Sequence, residues 1–191
     1  DEFTNRLIKN YKTLAPWTEK EDILCFRLYD QDLPQYNISI DLYDDWAFVR
    51  EYPSPATIDR ETGRNRFNAA LHAIRGLFAI PPSRIFFNKQ DKKAPKNSAK
   101  HSRPKEKTAE VAEQQCRFLV NCTMHPESDL PLLERSVRLL TGELAGGKTF
   151  LNLFGGSGAA TVHAMFNNAL ATTTVEPLTP LAQRARANFS L

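Results

Sequence analysis

Hydrophobic residues change their spacing along the chain, and the change predicts the order of the elements. Near the start they recur three or four residues apart, which predicts an amphipathic helix over 3–19. An apolar run at 23–29 predicts a strand. Two runs at 38–42 and 46–52 flank a short acidic turn, and the first alternates apolar with polar residues, so together they predict a β-hairpin.

A second helix and another strand are predicted after the hairpin. Thr57 or Asp59 can cap a helix over the apolar positions of 67–78, and two successive prolines end it. A strand over 84–87 follows. Helices and hairpin strands mixed in this way favour an α+β module, and we predict that it covers 1–122.

From residue 117 onward, strands and helices alternate. The predicted elements are strand 117–122, helix 132–144, strand 149–154, helix 159–166, strand 172–175 and helix 180–189. The last four form the βαβα opening of a doubly wound α/β domain, which we place at 123–191. Two parallel strands cannot bury both faces of a sheet. We therefore expect a truncated domain, and the absence of an initiator Met favours a chain cut from a longer one.

A basic segment lies within the predicted α+β module, over 89–107. Its strand-like flanks predict a long hairpin loop rather than a domain linker. Clustered cations displace counterions from a polyanion, so we interpret the segment as an arm that contacts RNA phosphates. The alternative is a solvated connection. The candidate residues are Lys89, Lys92, Lys93, Lys96, Lys100, Arg103 and Lys105.

Composition changes this picture little. The formal net charge is +3 over 191 residues, so only the local basic segment points to a polyanion. Three cysteines without a CxxC pair predict reduced thiols in the cytoplasm. The four histidines are scattered, which predicts no metal site. No apolar run approaches the roughly 20 residues that span a bilayer, so no membrane partner is expected.

The candidate chemistry lies where an apolar strand runs into a glycine-rich turn and then a helix. Gly155, Gly156 and Gly158 would let a ligand approach the backbone, and the helix end offers amides and partial positive charge. Glu176 follows the next strand, about 20 residues further on, where an acid can bind ribose hydroxyls. The spacing fits NAD and S-adenosylmethionine equally well. A turn needed only for tight packing is the alternative.

Blocks along essentially the whole chain resemble one family. The most specific are Asn5-Arg6-Leu7, Asp32-Leu33-Pro34, Ile80-Pro81-Pro82, Phe150-Leu151-Asn152-Leu153-Phe154 and Ala160-Thr161-Val162-His163-Ala164. In order and spacing they are similar to the C-terminal, guanine-N7 half of the bacterial bifunctional 23S rRNA guanine N2/N7 methyltransferases. The resemblance implies a Rossmann-like fold, S-adenosylmethionine as cofactor and 23S rRNA as partner. It also implies fusion to an N-terminal guanine-N2 methyltransferase half.

The resemblance also implies a set of cofactor-binding residues. They are Asn152, Phe154, Gly155, Gly156, Ser157, Gly158, Glu176 and Arg135. Three features depart from the family. Gly156 and Ser157 replace an aromatic residue and Thr, and Glu176 replaces Asp. In a Gly-x-Phe-x-Asp-His-Arg block only Arg135 is retained, and Leu133 stands where the family has Asp, which removes an acceptor.

No catalytic residue is expected among these positions. N7 of guanine already carries a lone pair, so its methylation needs orientation rather than proton abstraction. The family residues that hold the guanine follow the fourth strand, and no segment here matches them. Two alternatives are an RNA-docking module that binds cofactor poorly and a related 23S rRNA cytosine-C5 methyltransferase, whose cysteine would lie beyond Leu191. We expect His163 to be a helix-packing residue.

Overall fold

The structure, a computed structural model, describes residues 1–53, 58–89, 106–122 and 129–191. The chain divides into two compact units, Asp1–Lys105 and Glu106–Leu191. The sequence had predicted the boundary at residue 122. In the structure the boundary lies after Lys105, so the segment 106–122 belongs to the second unit.

The first unit contains two helices and a mixed sheet. Its elements are α1 (Glu2–Lys20), β1 (Cys25–Asp30), β2 (Ile38–Tyr43), β3 (Trp46–Glu51), α2 (Arg60–Phe78), a 3-10 turn (Pro82–Arg84) and β4 (Ile85–Lys89). The described strands lie in the order β1-β2-β3-β4. β1, β2 and β3 are antiparallel neighbours, and β4 is parallel to β3 because α2 carries the chain back across the sheet.

Capping fixes the beginnings of both helices. The Asp1 carboxylate accepts a hydrogen bond from the amide of Thr4 at 2.7 Å, and Asp59 accepts one from the amide of Thr62 at 2.9 Å. The predicted cap at Asp59 is therefore confirmed, whereas Thr57 lies outside the described residues. α2 ends at Ala79, which adopts a left-handed conformation just before the two prolines.

The core of the first unit lies between the helices and one face of the sheet. Removing the apolar side chains of this core from water supplies the main driving force for packing the helices on the strands. The helices contribute Phe3, Leu7, Phe67, Ala70 and Ile74, and the strands contribute Leu28, Ile38, Ile40, Leu42, Ala47, Val49 and Ile85.

The polar positions of β2 are buried as well. The alternation in the sequence is typical of a strand with one solvent face, yet Ser39 and Asp41 are almost inaccessible. The Asp41 charge is paired with Arg27 of β1, whose Nε and Nη2 donate to its two oxygens at 2.7 and 3.0 Å. This hydrogen bonding to Asp41 raises the pKa of Arg27. The bidentate pair satisfies a carboxylate that burial alone would destabilise.

The predicted hairpin across the basic segment is wrong. β4 pairs with β3 in the first unit, whereas β5 (Thr108–Glu113) pairs with β6 (Cys116–Asn121) in the second. The segment therefore connects the two units. Residues 90–105 themselves lie outside the described residues.

The second unit begins with this β5–β6 hairpin and continues with alternating helices and strands. The further elements are a 3-10 turn (Leu132–Glu134), α3 (Arg135–Ala145), β7 (Thr149–Leu153), α4 (Ala159–Phe166), β8 (Ala171–Val175) and α5 (Thr179–Asn188). β7 and β8 are adjacent and parallel, with Phe150 opposite Thr172. The predicted βαβα order and the α/β fold class are confirmed.

Apolar side chains of the β7–β8 sheet remain exposed. Leu151 and Leu153 of β7 are each 59% exposed, and Val175 of β8 is about half exposed. α3 also presents an apolar stripe, formed by Val137, Leu140 and Leu144. Two parallel strands with helices on one side leave the opposite face uncovered.

Candidate cofactor site

The glycine turn after β7 lies against the end of β8. The Gly155 amide donates to the carbonyl of Val175 at 3.1 Å. A Cβ on Gly155 would lie 2.4 Å from the methyl carbon of Thr174 and 2.9 Å from Nδ2 of Asn152. Only glycine fits this contact, so the residue sets the distance between the turn and the neighbouring strand.

Three residues of the turn have positive φ. Gly156 and Gly158 have φ values of 57° and 79°, which glycine adopts without penalty. Phe154 has φ 58° and is 81% exposed. A bulky residue in this conformation is uncommon and typically costs about 1–3 kcal/mol. The turn therefore holds an aromatic ring out at the carboxyl end of β7, beside the start of α4.

Gly156 and Gly158 differ in what surrounds them. A Cβ on Gly158 would lie 2.5 Å from the ring of Phe189 and 3.1 Å from Cβ of Ala185, both at the end of α5. Gly158 therefore allows the turn to pack against α5, a role that the sequence does not indicate. A Cβ on Gly156 would meet nothing within 4 Å. The open side of the turn is thus at Gly156.

Glu176 bridges the turn and the loop after β8. Its Oε2 accepts from the amide of Gly156 and its Oε1 accepts from the amide of Leu178, both at 2.8 Å. Each carboxylate oxygen can accept a second hydrogen bond. The carboxylate is therefore fixed in place and retains acceptor capacity for a ligand hydroxyl.

Two polar groups of Ser157 bond inward to the protein. Its hydroxyl donates to the carbonyl of Asp129, and its carbonyl accepts from Nδ2 of Asn188 at 2.9 Å. Asn188 also accepts from the amide of Leu119 in β6 at 2.9 Å. These bonds tie the turn to the hairpin. Ser157 therefore acts in this structure as a scaffold residue.

Asn152 also belongs to the scaffold. Its side-chain amide donates to the hydroxyl of Thr161 at 3.0 Å, and that hydroxyl lies 2.7 Å from the hydroxyl of Thr174. The chain of bonds crosses from β7 to α4 and on to β8. It fixes the helix whose amino end faces the turn.

Arg135 lies in a buried charge cluster that the sequence did not indicate. Glu113 of β5 is fully buried, and its Oε2 accepts from Nε of Arg135 at 2.7 Å. Arg138 donates to both carboxylate oxygens, from Nε at 3.0 Å and Nη2 at 2.8 Å. His163 of α4 places Nε2 at 3.0 Å from Oε1. One carboxylate therefore joins the hairpin to α3 and α4.

The charge state of Glu113 follows from these contacts. Burial alone raises its pKa, but hydrogen bonds from His163 and Arg138 and the charges of Arg138 and Arg135 outweigh it. The net effect lowers the pKa of Glu113 to about 2. The residue is ionised at neutral pH and neutralises a buried arginine. His163 is also buried, which confirms its expected packing role.

Cys116 completes a Cys–His–Glu arrangement without the properties of a nucleophile. Its Sγ lies 3.5 Å from Nδ1 of His163. The thiol is buried, and burial together with the Glu113 charge raises its pKa to about 11. A reactive cysteine needs a lowered pKa and access to solvent. The arrangement is therefore structural.

The remaining predicted features are distributed as follows. Leu133, at the position where the family has Asp, is 74% exposed. Lys89 ends β4, and the other predicted RNA-binding residues lie outside the described residues. Among the described residues, no group of three or more His, Cys, Asp or Glu side chains could hold a metal ion. No helix in this part of the chain combines the length and apolarity needed to cross a bilayer.

Comparison with solved structures defines the class of the fold. A protein of Streptococcus mutans described as a SAM-dependent methyltransferase matches 99% of the chain with a TM-score of 0.74 and 19% identity, and the match spans 48% of that protein. A crystal structure of a protein described as a methyltransferase complexed with SAH matches with the same TM-score and identity, and the match spans 47% of that protein. The chain thus has the α/β fold found in these proteins.

Comparison with curated proteins is more specific. The chain is 40% identical over 190 residues to the ribosomal RNA large subunit methyltransferase K/L of Desulfotalea psychrophila (strain LSv54 / DSM 12343). The alignment covers the whole chain and 26% of that relative. The chain therefore spans about a quarter of the relative's length. No protein-family model matches it.

Proposed function

We propose that the chain is the RNA-facing and cofactor-binding part of a methyltransferase that uses S-adenosylmethionine to modify guanine N7 in 23S rRNA. The observation that carries the proposal is the 2.8 Å bond between Glu176 and the amide of Gly156. This bond places Glu176, the acid that follows β8, beside the glycine turn and the start of α4. Similarity to a large-subunit rRNA methyltransferase along the whole chain supports the same function.

The residues present fit the adenosine part of that cofactor. Glu176 would accept hydrogen bonds from the ribose hydroxyls, because both its oxygens retain acceptor capacity. Gly156 would let the ligand approach the backbone on the open side of the turn. Phe154 would offer an aromatic face, and the amino end of α4 would contribute its partial positive charge. When bound, the cofactor supplies an electrophilic methyl group.

The chemistry at guanine N7 suits a site without a proton acceptor. The N7 lone pair is available in the neutral base, so the protein needs to align it with the methyl group and exclude water. Cytosine C5 methylation, in contrast, needs a thiolate. Cys116 and Cys122 do not suit that task, because burial is the main cause that raises their pKa values to about 11 and about 12, so a cytosine-C5 activity would need a cysteine beyond Leu191. Analysis of methylated nucleosides from treated 23S rRNA distinguishes the two activities.

A docking module that no longer binds cofactor well is the second candidate. Leu133 favours it, because an exposed leucine stands where the family has a hydrogen-bond acceptor. Ser157 and Asn152 favour it too, because the hydroxyl of Ser157 and the side-chain nitrogen of Asn152 already donate to protein groups. Titration calorimetry of the full-length protein with S-adenosylhomocysteine separates the candidates.

The calorimetric test compares the parent with Glu176→Ala. We expect the substitution to weaken binding by about 1.5–3 kcal/mol, the range for hydrogen bonds to a charged group. Glu110→Ala is the matched control, because Glu110 is an exposed acid in the hairpin, paired with Arg117. Unchanged affinity in Glu176→Ala would remove the ribose assignment. No binding by the parent would leave the docking module as the function.

The basic segment supports an RNA partner. We propose that Lys92, Lys93, Lys96 and Lys100 contact phosphates, and that replacing all four with Ala weakens binding to every RNA sequence alike. The slope of log affinity against log salt should fall by up to about 0.7–0.9 for each phosphate that is no longer neutralised. An unchanged slope would identify the segment as a solvated connection. We further propose a cytoplasmic enzyme in which this part is fused to a guanine-N2 methyltransferase half.

A further inference from the structure

A groove in the first unit lies between α2 and β4, the edge strand of the described sheet. It has a volume of about 240 Å³ and adjoins a second hollow of about 380 Å³ beside the two prolines that follow α2. Both are lined by His72 and Arg75. The floor of the first is apolar, formed by Leu71 and Ile85.

The polar rim of the groove comes from one face of α2. Asn68, His72 and Arg75 are spaced four and three residues apart, so they form a single row along the helix, and all three are exposed. Within the described part of the chain, no acidic residue lines either hollow. The rim therefore offers an amide, an imidazole and a permanent cation without a competing carboxylate.

An aromatic ring also lines the groove. Phe87 of β4 is 52% exposed, although a phenylalanine is usually buried. Its ring contacts Phe67 edge to face, with centroids 5.5 Å apart and planes at 74°. Phe67 belongs to the core, so its contact holds the Phe87 ring in place while about half of Phe87 remains exposed.

We propose that this groove binds an unpaired nucleotide of the RNA substrate. A base would stack on Phe87, the amide of Asn68 would contact the base edge, and Arg75 would contact the phosphate. Aromatic faces beside cations are the usual means of holding single-stranded RNA, whereas a duplex hides its base faces. The chain also enters the basic segment directly after β4, so the groove and those cations are consecutive in sequence.

The proposal rests on the proposed function only for the identity of the ligand as RNA. The test uses the full-length protein and fluorescence anisotropy with a labelled, unstructured RNA 12-mer and a labelled RNA duplex of matched sequence. We expect Phe87→Ala to weaken binding of the single strand about tenfold, within the range for loss of one stacked base. Phe87→Tyr should bind as the parent does, and binding of the duplex should change little.

Two variants keep the test decisive if Phe87→Ala is unstable. Asn68→Ala and Arg75→Ala alter exposed side chains on the rim, and each should weaken binding of the single strand severalfold. Arg75→Ala should also reduce the salt slope by about 0.7. Lys12→Ala, an exposed cation on α1, is the matched control and should leave single-strand binding unchanged.

The outcomes separate this inference from the proposed function. Binding of S-adenosylhomocysteine should be the same in the parent and all groove variants. Folded rim variants that bind the single strand as tightly as the parent would overturn the groove proposal, as would an equal loss of affinity for the duplex. Absence of S-adenosylhomocysteine binding in the parent would contradict the enzyme assignment, and a selective loss of single-strand binding would still support the groove.

Discussion

The carboxylate of Glu113 and the imidazole of His163 lie 3.0 Å apart in a fully buried contact. Glu113 belongs to the β5–β6 hairpin, and His163 belongs to the helix that follows the glycine turn. With Arg135 and Arg138 bound to the same carboxylate, this contact connects the hairpin to the helices that pack around the glycine turn.

Loss of the Glu113 carboxylate should destabilise the second unit strongly. Glu113→Ala removes the carboxylate that pairs with both Arg135 and Arg138, and breaking a buried ion pair in this way typically costs about 3–5 kcal/mol. Urea unfolding followed by circular dichroism measures the change in the free energy of unfolding. Glu110→Ala, which removes an exposed pair with Arg117, should cost under about 1 kcal/mol. Equal effects of the two substitutions would contradict the role assigned to the cluster.

Stability should fall in acid because of the same residue. The folded-state pKa of Glu113 is lowered from about 4.5 to about 2, so its contribution is complete above pH 4.5 and is lost as the pH falls towards 2. The difference corresponds to roughly 3 kcal/mol. Unfolding free energies measured between pH 7 and pH 3 should decline more steeply for the parent than for Glu113→Gln. Parallel curves would show that Glu113 does not carry this dependence.

Gly158→Ala and Gly156→Ala should differ in their effect on stability. Both positions have positive φ, so each substitution carries a backbone cost of about 1–2 kcal/mol. Only the new methyl group at 158 also collides with Phe189 and Ala185. Thermal unfolding should therefore show the lower melting temperature for Gly158→Ala. The opposite order would mean that α5 does not pack on the turn as described.

The three cysteines should resist alkylation in the folded protein. All are buried, and the pKa values of Cys116 and Cys122 are raised to about 11 and about 12, so little thiolate exists at pH 8. Mass spectrometry after iodoacetamide treatment should find no modified cysteine in native protein and three in denaturant. Rapid modification of Cys116 in native protein would reveal an activated thiol and contradict its structural assignment.

Local elements can be predicted from the sequence because their signals are local. The helical spacing around Leu7, the cap at Asp59 and the alternation of strand and helix after residue 129 each depend on a few neighbouring residues. The glycine turn is also predictable, because a strand, glycines and a helix follow one another directly. These features can be predicted without knowing which strands pair in the sheets.

Pairing and burial cannot be predicted in the same way, because distant segments decide them. Nothing in the run 85–89 indicates that it pairs with β3 rather than with β5. Glu113 looks like an ordinary strand-end acid until two helices bring Arg138 and His163 to it. The role of Gly158 likewise depends on Phe189, which lies 31 residues later and packs against the turn only after α5 has formed.

The shared carboxylate of Glu113 also constrains how the parts of this protein can be exchanged during evolution. A recombination event between residues 122 and 129 would separate the hairpin from the arginines of α3. One product would keep Arg135 and Arg138 without Glu113, and the reciprocal product would keep the buried Glu113 without these arginines. A break within 90–105 cuts between the two compact units and leaves the cluster intact. We therefore expect the hairpin to be inherited with the helices that follow it, while the first unit can be replaced independently.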